Sequence, residues 1–272
     1  MNKITVNSFN CEFGYELISV IPYAYWLYLQ GRLKETISAK GTEFFYYFSP
    51  KHTINPIKRN SLSNLKIKTP NGNIHIKKLD KSQFSIPDYR KQFANETFEF
   101  EKPIVVISNR YNNEWSYHPD LGMPINFFSL KTLEKLFKIL QNKYQVIYLN
   151  IEKEKDLQDE APAMSLDEWN LLDKYPKVKT IYELKYDMTY NEAQLKIFAN
   201  TSKFITLNGG GSILASFFGG TNIIYCKETN INGKIHPREL QTGDFGYYSD
   251  FANSKISIVN DIKDLLKNAK GL

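Results

Sequence analysis

A regular alternation of apolar strands and amphipathic helices between residues 104 and 269 is the feature that most constrains the fold of this chain. Residues 104–108 (IVVIS) form a continuous apolar run, which is typical of a strand buried on both faces. Residues 129–142 repeat apolar side chains at helical spacing and begin with Ser129, a residue type that caps helices. Because strands that alternate with helices pair in parallel, this half of the chain is predicted to form a doubly wound α/β sheet.

The same pattern continues to the end of the chain. Further strands are predicted at residues 145–149, 178–183, 204–207, 223–226 and 256–259. Further helices are predicted to begin at Ser165 and to cover residues 191–199, 213–218 and 261–269. The predicted order of elements therefore stays that of a parallel sheet with crossover helices.

The N-terminal part of the chain has weaker patterning. Strands are predicted at residues 3–9 and 43–48 (EFFYYF), with a helix between them at residues 15–29 that Pro22 kinks or restarts. Residues 65–68 and 73–77 alternate apolar and polar side chains around a Pro-Asn-Gly turn, which predicts a β-hairpin. The charged connector at residues 96–103 is the predicted boundary, so the expected domains are residues 1–100 and 101–272.

Composition excludes several classes of protein. Hydrophobic residues make up 42% of the chain and aromatic residues 14%, which is enough for a sizeable core and argues against disorder or a disulfide scaffold. Two cysteines fit a reducing compartment, and the four histidines are scattered, so no metal site is expected. No secretory signal is recognised, and the apolar residues 17–29 are too few to span a bilayer. We expect a cytoplasmic protein, with contact to the inner face of a membrane left open.

The basic excess behind the net charge of +6 is clearest between residues 51 and 91. Such a stretch suits contact with nucleic acid, an anionic membrane or a phosphorylated substrate, and it equally suits a solvated surface. Its lysines are not interleaved with an aromatic RNA-recognition motif, so specific nucleic-acid binding is not expected.

The strongest local signal is a glycine-rich turn between an apolar strand and a helix, in residues 204–220 (FITLNGGGSILASFFGG). Glycines let the backbone approach a ligand closely, and a helix N-terminus offers free N–H groups with a partial positive charge. No lysine follows the glycines as it would in a Walker A loop, and the spacing is not GxGxxG. A phosphate or diphosphate site is predicted at Asn208, Gly209, Gly210, Gly211 and Ser212, with a tight turn that merely needs small residues as the alternative.

A second polar loop, residues 109–114 (NRYNNE), directly follows the first strand of the predicted sheet. Ligands of open α/β sheets bind beyond the carboxyl ends of the strands, so Asn109 and its neighbours are expected to face the same ligand as the glycine turn. Arg110 is suited to hold a phosphate bidentately, Tyr111 to stack on a base, and Glu114 to accept a hydrogen bond from a sugar hydroxyl. The alternative is an exposed polar loop.

Two carboxylates flank Gly14 where the first predicted strand turns into the first helix. Glu12 lies in the loop, and Glu16 lies in the first helical turn, where it equally suits a favourable interaction with the helix dipole. Either side chain is a candidate general base toward a hydroxyl nucleophile.

Three of these segments together, CEFGYEL at residues 11–17, ISNRYN at residues 107–112 and NGGGS at residues 208–212, resemble the GT-B-type glycosyltransferases. The closer likeness is to small members found in surface-polysaccharide and glycan gene clusters. The resemblance implies two Rossmann-like α/β domains facing a cleft, the N-terminal one small and containing the hairpin. It also implies that the C-terminal domain binds a nucleotide-sugar and the N-terminal domain binds the acceptor.

Carried over to this chain, the resemblance assigns the donor diphosphate to Arg110 and residues 208–212, and the general base to Glu12 or Glu16. The expected activity is metal-independent transfer of a sugar from a nucleotide-sugar to a hydroxyl of a glycan or lipid-linked glycan, with no cofactor beyond the donor substrate. Three alternatives stay open. They are an enzyme resembling polysaccharide pyruvyltransferases, a non-catalytic nucleotide- or polyanion-binding protein, and a degenerate transferase that binds nucleotide without turnover.

Overall fold

The computed structural model of the protein describes residues 3–9, 11–56, 69–71, 78–112, 124–154, 164–227, 229–231, 234–236, 246–251 and 253–272. The strands are β1 (Ile4–Asn7), β2 (Leu33–Ala39), β3 (His52–Asn55), β4 (Ile104–Ser108), β5 (Gln145–Leu149), β6 (Lys179–Thr180), β7 (Thr201–Leu207), β8 (Gly220–Tyr225), β9 (Thr229–Ile231), β10 (Lys234–His236) and β11 (Ser254–Val259). The helices are α1 (Phe13–Tyr15), α2 (Ile21–Leu29), α3 (Tyr89–Gln92), α4 (Leu130–Leu140), α5 (Trp169–Leu172), α6 (Ile181–Leu184), α7 (Tyr190–Ala199), α8 (Gly210–Phe217) and α9 (Ile262–Lys270).

Six parallel strands form the larger sheet, in the order β11-β8-β7-β4-β5-β6. The chain runs outward from β4 to β6, returns to β7 beside β4, and then runs outward again to β11. This is the strand order of a doubly wound Rossmann-like sheet, and its order reverses between β4 and β7. The predicted parallel α/β fold is confirmed for the C-terminal part of the chain.

Three parallel strands form a second, smaller sheet in the order β1-β2-β3. One helical segment connects β1 to β2, and it consists of α1, a π-helical turn at Glu16–Val20, and α2. Pro22 lies in the first turn of α2 and has no N–H group to donate to the π-helical turn before it. The π-helical turn ends directly before Pro22, where the Ile21 N–H group donates to the Glu16 carbonyl. The segment therefore changes from π-helix to α-helix at the place where the sequence predicted a kink or a restart. The predicted hairpin at residues 65–68 and 73–77 lies outside the described residues.

A single apolar core joins the smaller sheet to one face of the larger one. Leu17 and Phe45 from the N-terminal part lie in the same buried cluster as Phe204 and Leu214 from the larger sheet and α8. A second buried cluster covers the opposite face, beneath α4 and α9. The core that joins the two sheets is continuous across residue 100. The domain boundary expected there stays a prediction.

The strand predicted at residues 43–48 is wrong. Glu43–Tyr46 form a 3-10 turn, and the third strand of the small sheet is β3 instead. Phe45 and Tyr46 are buried as expected of so aromatic a run, but they are buried by ring contacts rather than by pairing in a sheet, for example between Phe45 and Tyr89 with centroids 6.1 Å apart. High aromatic content thus indicated burial correctly and secondary structure incorrectly.

Two further boundaries differ from the sequence-based expectation. Of the strand predicted at residues 178–183 only Lys179–Thr180 pair with β5, because Thr180 caps α6 and forms a capping box with Glu183. The helix expected from Ser165 begins at Trp169, and Asp167 before it has a φ of +57°, which is incompatible with a helix.

Arg90, one of the cations of the basic stretch, does not serve a solvated surface or a ligand. Its guanidinium donates hydrogen bonds to the carbonyls of Phe218 at 2.8 Å, Ala199 at 2.7 Å and Thr201 at 2.6 Å. Two of these carbonyls close α8 and α7, where a cation also interacts favourably with the helix dipole. Burial lowers the pKa of the guanidinium, and the side chain ties the connector between the sheets to the larger sheet.

We predict that Arg90→Ala lowers the free energy of unfolding by about 3 kcal/mol, because three carbonyls lose a charged donor. Arg90→Lys keeps the charge but cannot reach three acceptors from one ammonium, so its loss should be smaller. Urea denaturation of the three proteins measures both values. Equal stability of Arg90→Ala and the wild type would contradict a structural role for this cation.

Candidate active site at the strand-order reversal

The two polar loops predicted to share a ligand lie at the carboxyl ends of neighbouring strands. Asn109 and Arg110 follow β4, and Asn208 with the glycines follows β7, on the two sides of the point where the strand order reverses. A Cβ atom built on Gly209 would lie 3.7 Å from Nη2 of Arg110, so the guanidinium lies directly over the glycine turn. A crevice at such a reversal is where doubly wound sheets bind ligands.

The glycine turn has a backbone conformation that only glycine adopts readily. Gly209 has φ +132° and ψ −165°, which is far from the regions open to residues with a Cβ atom. The carbonyl of Gly209 accepts hydrogen bonds from the Ser212 N–H group at 3.1 Å and the Ile213 N–H group at 3.2 Å, which starts α8. Within the described part of the chain, the N–H groups of Gly210 and Gly211 have no acceptor. These two donors are what the first turn of α8 offers to an anion.

Ser212 closes the turn with its side chain. Its buried hydroxyl donates to the Gly209 carbonyl at 2.7 Å and accepts from the Gly209 N–H group at 3.2 Å. The hydroxyl of Tyr248 also bonds to it at 2.5 Å, and burial raises the pKa of that tyrosine. The Ser212 hydroxyl therefore shapes the turn from within. Its expected contact with a donor diphosphate stays a prediction.

Gly210 brings the N-termini of α1 and α8 together. A Cβ atom at this position would lie 2.8 Å from Cδ1 of Phe13 and 3.5 Å from the backbone nitrogen of Gly14. Real Cβ atoms do not come so close to a ring carbon, so the missing side chain is required by packing between the two helices. The sequence pattern showed that small residues were needed here, but it did not show that a phenylalanine occupies the space.

The two candidate bases occupy different environments. Glu12 is half-buried and caps α1, with its carboxylate accepting from the N–H groups of Gly14 at 2.8 Å and Tyr15 at 3.0 Å. Glu16 is fully buried, and its Oε1 accepts from the hydroxyls of Ser8 at 2.6 Å and Tyr46 at 2.7 Å. Burial and the neighbouring carboxylate raise the pKa of Tyr46. Of the two carboxylates, Glu12 is the one that solvent and a substrate can reach.

The loop after β4 is held from beneath by Asn109. This buried amide donates to the carbonyl of Phe128 at 3.1 Å and to the hydroxyl of Tyr148 at 3.2 Å, and its oxygen accepts from the Phe128 N–H group at 2.9 Å. It thereby fixes the chain just before Ser129, which caps α4 as predicted. Arg110 and Tyr111 are half-buried, and Glu114 lies outside the described residues.

Polar residues that sequence reasoning missed lie beside Arg110. A small pocket in the described part of the chain is lined by Asn109, Arg110, Tyr111, Asn150, Ile151, Glu152, Met164 and Glu168. Its interior measures about 10 Å³, which is room for about one water molecule. Asn150 directly follows β5, so the rule that polar residues after parallel strands face a ligand would have found it. Glu168 gave no such signal, because its place in the sequence indicated only a helix start.

Metal-binding and membrane-spanning features were also searched for in the described residues. Among them no group of three or more His, Cys, Asp or Glu side chains is placed to hold a metal ion. No described helix combines the length and the apolar character needed to cross a bilayer.

Comparison with known proteins gives a likeness of fold. No protein-family model and no curated protein matches the sequence. A solved structure of ADP-heptose LPS heptosyltransferase II from E. coli is similar, with a TM-score of 0.54 over 99% of this chain and 98% of that chain. The two sequences are 8% identical, so the likeness concerns the fold alone. This chain has a Rossmann-like α/β fold similar to that of the heptosyltransferase.

Proposed function

We propose that this protein is a glycosyltransferase that binds a nucleotide-sugar by its diphosphate, between Arg110 and the first turn of α8. The observation that carries the proposal is the position of the Arg110 guanidinium over Gly209, beside N–H groups of Gly210 and Gly211 that lack an acceptor in the described residues. The likeness of fold to a heptosyltransferase supports the reaction class.

The chemistry follows from where negative charge develops. As the bond between the sugar and the diphosphate breaks, its electron pair passes to the diphosphate oxygen. Backbone N–H groups at a helix N-terminus and a guanidinium that binds phosphate in a fixed geometry both stabilise that charge. The proposed groups belong to the chain itself, so the mechanism needs no metal ion to compensate the leaving group.

The acceptor side of the proposal rests on Glu12. Its carboxylate lies at the N-terminus of α1, which contacts the N-terminus of α8 through Phe13 and Gly210. The hydrogen bonds from the N–H groups of Gly14 and Tyr15 hold this carboxylate in place. A glycan or lipid-linked glycan would supply the acceptor hydroxyl. Glu12 would take the proton of this hydroxyl while the hydroxyl oxygen attacks the sugar carbon. Glu16 has a positioning role in this scheme, because it holds Ser8 and Tyr46 beneath the loop.

Gly211 offers the sharper test of the diphosphate site, since a substitution at Gly210 would disturb Phe13. Among the described residues, a Cβ atom at Gly211 would meet the Ser108 hydroxyl alone, at 3.7 Å. We predict that Gly211→Glu folds normally, because acidic residues suit a first helical turn, but that its charge repels a diphosphate. Gly211→Gln is the matched control, with the same shape and no charge.

Isothermal titration with ADP, GDP, CDP and UDP measures the effect. Gly211→Gln should bind the preferred nucleotide at least tenfold more tightly than Gly211→Glu, in line with about 1.4 kcal/mol per tenfold. Equal affinity of the two variants would remove the first turn of α8 from the binding site.

Measurements of binding and turnover together distinguish the proposed role of Glu12 as a base from that of Arg110 as a diphosphate ligand. We predict that Glu12→Gln binds the nucleotide normally but releases nucleoside diphosphate from nucleotide-sugars at least 100-fold more slowly, since a general base typically contributes about 10²–10⁴-fold. Arg110→Ala should lose both binding and turnover, because removing one donor to a developing charge costs about 2.7–4 kcal/mol. A Glu12→Gln variant with wild-type turnover would exclude this residue as the base. Nucleotide binding without turnover in the wild type would instead favour a binding protein.

A further inference from the structure

We propose that the outer face of α2, formed by Tyr23, Tyr25, Trp26, Tyr28 and Leu29, docks on the headgroup region of a bilayer that contains anionic lipids. The inference does not depend on the proposed function, because binding to vesicles is measured without any nucleotide or glycan. It goes beyond that function, since a protein bound at a bilayer meets substrates that are themselves anchored in lipid.

The observation that carries the inference is a surface helix without a charged outer face. α2 has the sequence IPYAYWLYL and contains no charged residue. A surface helix normally has polar or charged side chains on its outer face, and a helix that is apolar all round is normally buried. One side of α2 is buried, through Ile21, Ala24 and Leu27. On the other side, Tyr28 is 43% exposed and Leu29 is 54% exposed.

The outer face of α2 is a continuous aromatic surface rather than a set of isolated side chains. Tyr25 and Tyr28 stack with their ring centroids 6.0 Å apart. Tyr23 and Trp26 stack with their ring centroids 6.2 Å apart. Leu29 lies one helical turn beyond Tyr25 and Trp26, so it joins the two pairs. Tyrosine and tryptophan have an apolar ring and a polar tip, which suits the level of the lipid headgroups.

Cations lie at the end of the helix where the exposure is greatest. The Arg32 guanidinium lies 5.8 Å from the centroid of the Trp26 ring. Lys3 and Lys34 are exposed at the starts of β1 and β2, the two strands that the helical segment connects. Because these strands are parallel, both starts lie at the edge of the small sheet where α2 ends. Positive charge beside an aromatic surface complements anionic headgroups.

The acidic side chains of this region have cations beside them. Glu35 pairs with Lys51 at 2.9 Å, and the hydrogen bond from that lysine lowers the pKa of the carboxyl. Asp88 caps α3 and accepts from the Lys91 N–H group at 3.0 Å. With Arg32 and the two exposed lysines, the cations outnumber the acids among these residues, so attraction to an anionic surface prevails.

The length of α2 determines how it meets a bilayer. Nine residues form a helix of about 14 Å, which is about half the thickness of the hydrocarbon core. Such a helix lies in the plane of the interface and binds by burial of its apolar side together with attraction to anionic lipids. Both contributions can be measured separately.

Vesicle flotation of the wild-type protein measures the contribution of charge. We expect binding to mixed vesicles of phosphatidylcholine and phosphatidylglycerol, and at least tenfold weaker binding to pure phosphatidylcholine, because each nearby cation adds about fivefold on an anionic surface. Added salt should weaken the binding by screening. Absence of binding to the mixed vesicles, or equal binding to both kinds, would overturn the proposal.

Two matched variants measure the contribution of the apolar face. Leu29→Glu should bind the mixed vesicles at least tenfold more weakly than the wild type, because a charge replaces a side chain that enters the interface. Leu130→Glu is the control, since Leu130 is also exposed, at 37%, but lies at the start of α4 on the larger sheet. Equal binding by the two variants would overturn the assignment of the docking surface to α2.

Tryptophan fluorescence gives a readout that does not depend on a charged variant. Lipids with brominated acyl chains should quench the emission of the wild type, and the quenching should be smaller in Trp26→Phe. Identical quenching in the two proteins would place the contact elsewhere on the molecule. Self-association of the wild type that Leu29→Glu abolishes, without vesicle binding, would instead assign this face to a second copy of the chain.

Discussion

The contact between the N-termini of α1 and α8 is the constraint on which the arrangement of the site depends. Phe13 lies where a side chain at position 210 would be, so α8 can approach the N-terminal part of the chain only because residue 210 is glycine. The same approach brings the Glu12 cap of α1 close to the first turn of α8. This packing contact helps to link the small sheet to the switch point of the large one, and it brings the carboxylate that caps α1 near the first turn of α8.

Two buried carboxylates among the described residues, Glu16 and Glu168, look alike in the sequence but differ in their surroundings. Glu16 is buried with its Oε1 bonded to Ser8 and Tyr46, in the interior of the N-terminal part. Glu168 is buried with one oxygen bonded and the other without a donor in the described residues, in a pocket that also contains Arg110. Burial of a charge is costly in both places, and at Glu168 the uncompensated oxygen lies beside space for about one water molecule.

The larger sheet could be predicted from the sequence because its strands and helices are regular and follow one another at short intervals. Residues 104–108 and 204–207 are apolar enough to be read as buried strands, and the polar residues after them were correctly expected at one edge. The N-terminal part was harder, since the aromatic residues 43–48 are buried by ring contacts that no local period shows. The roles of Gly210 and Arg90 depend on partners 109 or more residues away, and that of Glu168 on a cavity between elements, so local patterns did not reveal them.

The most direct test of the central claim is a crystal structure of the wild-type protein with the nucleoside diphosphate that it binds best. The account predicts phosphate oxygens within about 3.2 Å of the Gly211 nitrogen and of the Arg110 guanidinium. A diphosphate bound at saturation elsewhere on the molecule, with the first turn of α8 free of ligand, would contradict it.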